Sequence, residues 1–137
     1  VVDVSDPALP SKMGASFFPS WVVSKPVAYK NYISFYIEYK DDAGAGIEIV
    51  DVSDPLNPTD IAFLDVCLTD NNPAIYCDYA YKLCDDTLRV IDLSDPFNMS
   101  IYSSIMLAGI NSSMVKVDSG YAYIPNTIDG LQILRLW

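Results

Sequence analysis

The chain has 137 residues, of which 51% are hydrophobic, so it is long and apolar enough to form one domain with a buried core and is not intrinsically disordered. Eight Lys and Arg against eighteen Asp and Glu give a net charge of −10, which disfavours nucleic acid and anionic lipid as partners. Histidine is absent from the sequence, which excludes a Ser-His-Asp triad and imidazole metal ligands.

A six-residue motif that ends in Ser-Asp-Pro occurs three times along the chain, at residues 2–7, 50–55 and 91–96. Proline fixes its backbone φ and has no N–H donor, and Ser and Asp side chains accept hydrogen bonds from nearby backbone N–H groups. We therefore expect Asp6, Asp54 and Asp95 to form turns.

Short strands are predicted around each turn. A first strand is expected at residues 27–29, 74–76 and 114–117, and a second has a small residue between two large ones, at 33–35, 79–81 and 121–123. The third, at 46–52, 87–93 and 130–136, alternates apolar and polar residues but changes phase in the middle, which predicts a bulge or burial of both faces. A fourth follows the turn, at 12–18, 60–67 and 100–107.

Four short strands in each period of about 40 residues are typical of a propeller blade. The Asp-Val-Ser-Asp-Pro turn after an apolar strand resembles the LVIVD-repeat family over essentially the whole chain. The resemblance implies a β-propeller that is secreted or anchored at the cell surface, and it implies no particular ligand. We therefore predict an all-β fold: a partial β-propeller of about three four-stranded antiparallel blades.

The prediction is one propeller segment over residues 1–137, with blade parts at 1–18, 25–67, 74–107 and 114–137. Propellers close with about four to eight blades, so we expect two apolar sheet faces to lie open. Neighbouring blades, from a longer natural chain or from other chains, are needed to complete the ring.

Acidic loops should meet on one face of the propeller, because antiparallel strands place the loops between second and third strands beside those between blades. Oxygen ligands of the kind that Ca²⁺ prefers occur there, in Asp41, Asp42, Asp70, Asp85, Asp86 and Asp129. No Asp-x-Asp-x-Asp-Gly loop is present, so we expect a solvated acidic rim without a cofactor, with bound Ca²⁺ as the alternative. Trp21, in a connection on the same face, is a candidate for stacking on a sugar.

Cysteines and asparagines give two further expectations. Cys67, Cys77 and Cys84 lack the Cys-x-x-Cys spacing of a zinc site, so they are free thiols or one disulfide plus a free thiol, with the pairing left open. Asn98 and Asn111 begin Asn-x-Ser sequences and are candidate glycosylation sites.

We expect a non-catalytic binding or structural scaffold, extracellular or at the cell surface, whose partner is a protein or a carbohydrate. No apolar run approaches the roughly 20 residues that a membrane-spanning helix needs. One alternative is a hydrolase or lyase that uses carboxylates at the channel mouth, and another is a subunit of a surface filament or multiprotein assembly. Convergent buried carboxylates in the channel would favour the enzyme, and small and apolar residues the scaffold.

Overall fold

The computed structural model describes residues 2–15, 20–39, 44–69, 72–107, 109, 114–128 and 130–136. The regular structure in these ranges is β-strand, and no helix in them is long and apolar enough to cross a membrane. In chain order the strands are β1 (Val2–Asp3), β2 (Ser11–Lys12), β3 (Ser20–Val23), β4 (Val27–Tyr29), β5 (Tyr32–Tyr39), β6 (Ala45–Asp51), β7 (Thr59–Asp65), β8 (Ala74–Tyr76), β9 (Tyr79–Cys84), β10 (Thr87–Asp92), β11 (Ser100–Met106), β12 (Lys116–Asp118), β13 (Tyr121–Asn126) and β14 (Gly130–Arg135).

These strands form four antiparallel sheets, one for each repeat unit. Strands β8 to β11 pair in chain order, and so do β4 to β7. Strands β12 to β14 form a three-stranded sheet, and β1 and β2 form a two-stranded one. This arrangement confirms the predicted all-β partial propeller with four-stranded antiparallel blades.

The first strand of each unit lies on the inside. Strand β8 lies against β4 on one side and β12 on the other, so the three strands line the axis around which the sheets are arranged. Strands β4 and β8 have the predicted bounds, whereas the third inner strand is Lys116–Asp118 and not 114–117. In the first unit, β2 is Ser11–Lys12 and shares only Lys12 with the strand expected at 12–18, and residues 16–18 lie outside the described ranges.

Strand β3 was not predicted and lengthens the inner edge of the second sheet. Residues 20–23 pair with the second half of β5, and β4 pairs with its first half. Between them, the Ser24 N–H donates to the Tyr36 carbonyl at 3.0 Å, and the Ser24 Oγ accepts from the Tyr36 N–H at 2.8 Å. Pro26 has no N–H to continue this pairing, which explains why the edge divides into two strands.

Strand β5, the second strand of the second unit, is offset by one residue from the predicted alignment. Ser34 pairs with Ile49, and Tyr81 pairs with Val90. Ile49 and Val90 occupy the same repeat position, so Ser34 corresponds to Tyr81. The small residue of the later units therefore corresponds to Ile33, and the prediction was wrong here because Ser34 was matched by size alone.

The third strand of each complete blade buries both of its faces. Ile47 and Ile49 belong to the apolar cluster between the second and third sheets, and Val50 belongs to the cluster on the opposite face. The apparent change of phase arises because the polar positions Glu48 and Asp51 fall on opposite faces of a regularly alternating strand. Bulges also interrupt the pairing with the fourth strand in both blades, so both predicted causes are present.

Apolar side chains from adjacent sheets form the core. The cluster between the second and third sheets contains Tyr29, Ile47, Ile49, Val66, Ala80, Cys84, Ile91 and Leu93. The cluster between the third and fourth sheets contains Tyr81, Leu83, Leu88, Val90, Leu107, Ala122, Ile124 and Leu136. Each sheet is therefore covered only where it meets a neighbour.

The repeated Asp residues form turns, as predicted. Asp54 Oδ1 accepts from the Leu56 N–H at 2.9 Å, and Asp54 Oδ2 accepts from the Asn57 side-chain amide at 2.8 Å. These hydrogen bonds, with the Asn57 amide contributing most, lower the pKa of the Asp54 carboxyl. Asp6 and Asp95 accept equivalent backbone bonds, so all three carboxylates stabilise the turn that ends the third strand.

A disulfide between Cys67 and Cys84 joins the second and third blades, with 5.8 Å between their Cα atoms. Cys77 is a free, exposed thiol in the turn between β8 and β9. Near the disulfide, the Lys82 Nζ donates to the Thr69 carbonyl at 2.8 Å. The covalent bond and this hydrogen bond both attach the end of one blade to the next.

Replacing both Cys67 and Cys84 by Ala should lower the free energy of unfolding by about 3 kcal/mol, because a cross-link over this chain length restricts the unfolded state. Denaturant unfolding with and without reductant measures the effect. Reductant should bring the wild type and Cys77→Ala, which both contain the disulfide, to the level of the double variant, and it should leave the double variant unchanged. Equal stability of the oxidised wild type and the double variant would contradict the disulfide assignment.

Candidate functional site

A concave surface with a volume of about 810 Å³ lies where the chain enters the three inner strands. Its walls come from the segments before and within β4, β8 and β12 and from the second and third strands of the last sheet. The residues that line it are Lys25, Val27, Asn72, Pro73, Ala74, Ile75, Met114, Val115, Lys116, Val117, Tyr123, Pro125 and Leu131. This surface is the channel mouth of the partial propeller.

The channel mouth combines small and apolar walls with a few polar groups. Lys25 and Lys116 are exposed there, and the Asn72 Oδ1 is buried without a hydrogen-bond partner in the part of the chain that the structure describes. The described residues that line it include neither Asp nor Glu. In its described part, the surface provides apolar contact area, two positive charges and an amide, without a carboxylate pair for acid and base catalysis.

Lys25 and Lys116 were not predicted from the sequence as site residues. A signal for one of them was present, since Lys116 interrupts an apolar strand that was predicted at residues 114–117 in a chain with few positive charges. Lys25 and Asn72 precede the other two inner strands at equivalent positions. Their convergence depends on the arrangement of the three sheets and not on any local motif.

Glu48 is the carboxyl group with the largest change of pKa among the described residues, and it does not line the channel mouth. Its side chain is 3% exposed, and the Tyr39 hydroxyl donates to its Oε2 at 2.7 Å. Burial raises the pKa of Glu48 from 4.5 to about 7; the hydrogen bond from Tyr39 opposes this rise, and the charge of Asp60 adds to it. Glu48 is therefore a buried residue of β6 that lies outside the channel mouth.

The predicted Ca²⁺ ligands are only partly described. Asp85 and Asp86 form the turn between β9 and β10, where Asp85 has a φ of 53°. The remaining four candidates lie outside the described ranges: Asp41, Asp42, Asp70 and Asp129. Within the described ranges, no three Asp, Glu or Cys side chains come together as a metal site. Both the solvated acidic rim and bound Ca²⁺ stay predictions.

The other sequence candidates are placed as follows. The Asn98 Nδ2 donates to Asp95 Oδ2 at 2.7 Å, so this side chain stabilises the third Asp-Pro turn. Trp21 lies in strand β3 and not in a connecting loop, and its side chain is outside the described part of the structure, as is Asn111. Glycosylation of Asn98 and Asn111 and sugar stacking on Trp21 stay predictions.

The outer face of the last sheet is a second candidate surface, which shares Leu131 with the channel mouth. Leu131 and Ile133 of β14 are 51% and 56% exposed, whereas the equivalent residues of β6 and β10 are at most 6% exposed. The same repeat positions are thus buried where a following sheet is present and exposed where none is described. This face is one of the predicted open blade faces.

Glu48→Gln should change how stability depends on pH. In the wild type, Glu48 binds its proton more tightly when folded than when unfolded, so the free energy of unfolding should fall by about 1–3 kcal/mol as pH rises from about 4.5 to 7. The variant retains a hydrogen-bond acceptor for the Tyr39 hydroxyl, and its free energy of unfolding should not show this fall. Urea unfolding at about pH 5 and pH 8 measures the difference.

Glu38→Gln, in the neighbouring strand β5, is the matched control and should follow the pH dependence of the wild type. A constant difference in stability between the wild type and Glu48→Gln across this pH range would show that Glu48 is not held in the buried position described.

Comparison with known sequences agrees with this geometry. The profile of the LVIVD repeat matches residues 1–16, 39–63 and 72–106, which together are more than half of the chain. No curated protein and no solved structure matches the chain. The matched segments contain the three Ser-Asp-Pro turns and most of the third strands, and LVIVD repeats form β-propeller-like structures. The chain therefore belongs to the LVIVD repeat family.

Proposed function

We propose that the chain is a binding or structural scaffold with no catalytic activity of its own. The observation that carries this proposal is the lining of the channel mouth, where small and apolar residues surround Lys25, Asn72 and Lys116. Contact surfaces for other molecules combine apolar area with a few oriented polar groups. A hydrolase or lyase of the kind considered above needs instead a pair of carboxyl groups that face the substrate.

The position of Glu48 also supports a scaffold. A raised pKa is typical of catalytic acids, but Glu48 is 3% exposed and is held by the Tyr39 hydroxyl. The Tyr39 ring packs edge to face on Phe63, with 5.2 Å between ring centroids. A substrate reaches this carboxyl only if the sheet loses that packing.

An extracellular or cell-surface location is part of the proposal. The disulfide between Cys67 and Cys84 supports it, because structural disulfides are stable mainly in oxidising compartments. The partner proposed is a protein or a carbohydrate at that surface. At the channel mouth, Tyr123 offers such a partner an aromatic ring, and Lys25 and Lys116 offer it hydrogen-bond donors.

Binding and turnover measured on the same panel of polysaccharides and surface proteins test the proposal. We expect the protein to bind at least one member of this panel. Lys25→Glu together with Lys116→Glu should weaken that binding at least about tenfold, because the two changes remove the positive charges and hydrogen-bond donors of the channel mouth. Lys12→Glu, which makes the same charge change on the exposed β2, is the control and should bind as the wild type does.

New reducing ends or unsaturated sugar products, which measure hydrolysis and elimination, should stay at the level of buffer. Product formation that Glu48→Gln abolishes would contradict the scaffold and identify an enzyme. If Lys12→Glu weakened binding as much as the double variant of Lys25 and Lys116 does, charge alone, and not the channel mouth, would govern binding.

The second candidate, a subunit of a surface assembly, is favoured by the open face of the last sheet. Leu131 and Ile133 occupy positions that the other blades bury against a neighbouring sheet. An apolar face of this kind is stabilised when another sheet covers it. In this proposal a neighbouring blade, from the same or another chain, covers the face and continues the ring.

A further inference from the structure

The outer strand of the third blade, β11, differs from its counterpart in the second blade. Both β7 and β11 are the last strands of their sheets, and each pairs with one neighbour only among the described residues. The outer backbone N–H and C=O groups of such a strand are available to another strand. A second molecule that adds a strand to the outer edge of a four-stranded blade would therefore add it at β7 or β11.

Strand β7 carries charges that discourage such pairing, and β11 does not; a bulge occurs in both strands, so it does not distinguish them. Asp60 and Asp65 place negative charges near both ends of β7, and both are exposed. Edge strands that avoid association commonly carry charges in this way. Strand β11 contains no charged residue and no proline over its seven residues, all of which are exposed.

Exposed apolar side chains lie along the whole length of β11. Ile101, Tyr102, Ile105 and Met106 are 43%, 62%, 46% and 81% exposed. At about 3.3 Å per residue, the strand offers an edge of roughly 23 Å. This length is enough for several cross-strand pairs, each of which contributes to sheet stability.

The order of residues in β11 suits a second copy of the same strand. A two-fold axis at Ser103 sets Ile101 opposite Ile105 of the other copy, and Tyr102 opposite Ser104. Each pair then occurs twice, as a symmetric interface requires. Each molecule has a net charge of −10. Because β11 itself is uncharged, no like charges face each other at this contact.

We propose that two copies of this chain associate by antiparallel pairing of their β11 strands. The two third blades then form one continuous eight-stranded sheet, in the order β8 to β11 followed by β11 to β8 of the partner. The interface uses the outer rim of the propeller. It leaves the channel mouth and the open face of the last blade accessible.

Sedimentation analysis from micromolar to near-millimolar concentration tests this pairing with three single variants. Ser103→Lys should raise the dimer dissociation constant at least about tenfold, because two lysines meet at the two-fold axis. Ala62→Lys is the matched control, since Ala62 pairs with Ile49 as Ser103 pairs with Val90. It should dimerise as the wild type does.

Ile133→Lys, on the open face of the last sheet, should also leave the dimer intact. A wild type that stays monomeric throughout would overturn the proposal. So would a dimer that Ser103→Lys leaves unchanged, or one that Ile133→Lys disrupts while Ser103→Lys does not, which would assign the contact to the open blade face.

Hydrogen exchange on the unmodified protein gives a second test that does not depend on the folding of a variant. The amides of β11 should exchange more slowly at high than at low protein concentration, because pairing protects the outer edge, while those of β7 should be unaffected. Exchange in β11 that is independent of concentration in a dimeric sample would exclude the strand as the interface.

Discussion

Mutual burial of neighbouring sheets is the constraint on which the rest of the structure depends. Each third strand directs apolar residues to both sides, so a single sheet cannot cover its own surface. Ile49 is 1% exposed and Val90 is 6% exposed because a further sheet packs on each. Burying a side chain of this size contributes about 1.5–3 kcal/mol, and the contribution recurs at every pair of adjacent sheets.

The same burial determines how polar groups between the sheets are held. Lys82 is fully buried between the second and third blades, where its Nζ donates to the Thr69 carbonyl and lies 4.4 Å from the centre of the Tyr36 ring. Arg89 donates to the Val66 carbonyl in the same region. A buried charge without such partners is strongly destabilising. These contacts therefore join the blades by directional bonds as well as by apolar packing.

Much of the fold could be predicted from the sequence because the repeat presents the same pattern several times. The turns at Asp6, Asp54 and Asp95 and the inner strands at 27–29 and 74–76 follow from local chemistry that recurs in each unit. Strand β3 could not be predicted in this way, because it lies in a part of the second unit that has no described counterpart in the others. The alignment of Ser34 failed because side-chain size is a weaker guide than cross-strand pairing.

The candidate site was less predictable for a physical reason. Lys25, Asn72 and Lys116 are far apart in sequence and meet only because three inner strands converge on one axis. The pairing of Cys67 with Cys84 likewise depends on how two blades approach each other. Composition predicted the acidic loops but carried no information about which side chains surround the channel.

Unfolding free energies of three single variants at one repeat position test the central claim most directly. Ile49→Ala and Val90→Ala remove side chains that a following sheet covers. The free energy of unfolding should fall by about 2–5 kcal/mol for Ile49→Ala and by about 1–3 kcal/mol for Val90→Ala. Ile133→Ala changes the equivalent residue on the open face and should cost less than about 0.5 kcal/mol. A loss at Ile133 as large as that at Ile49 would contradict the account, because burial at this position would then not depend on a neighbouring sheet.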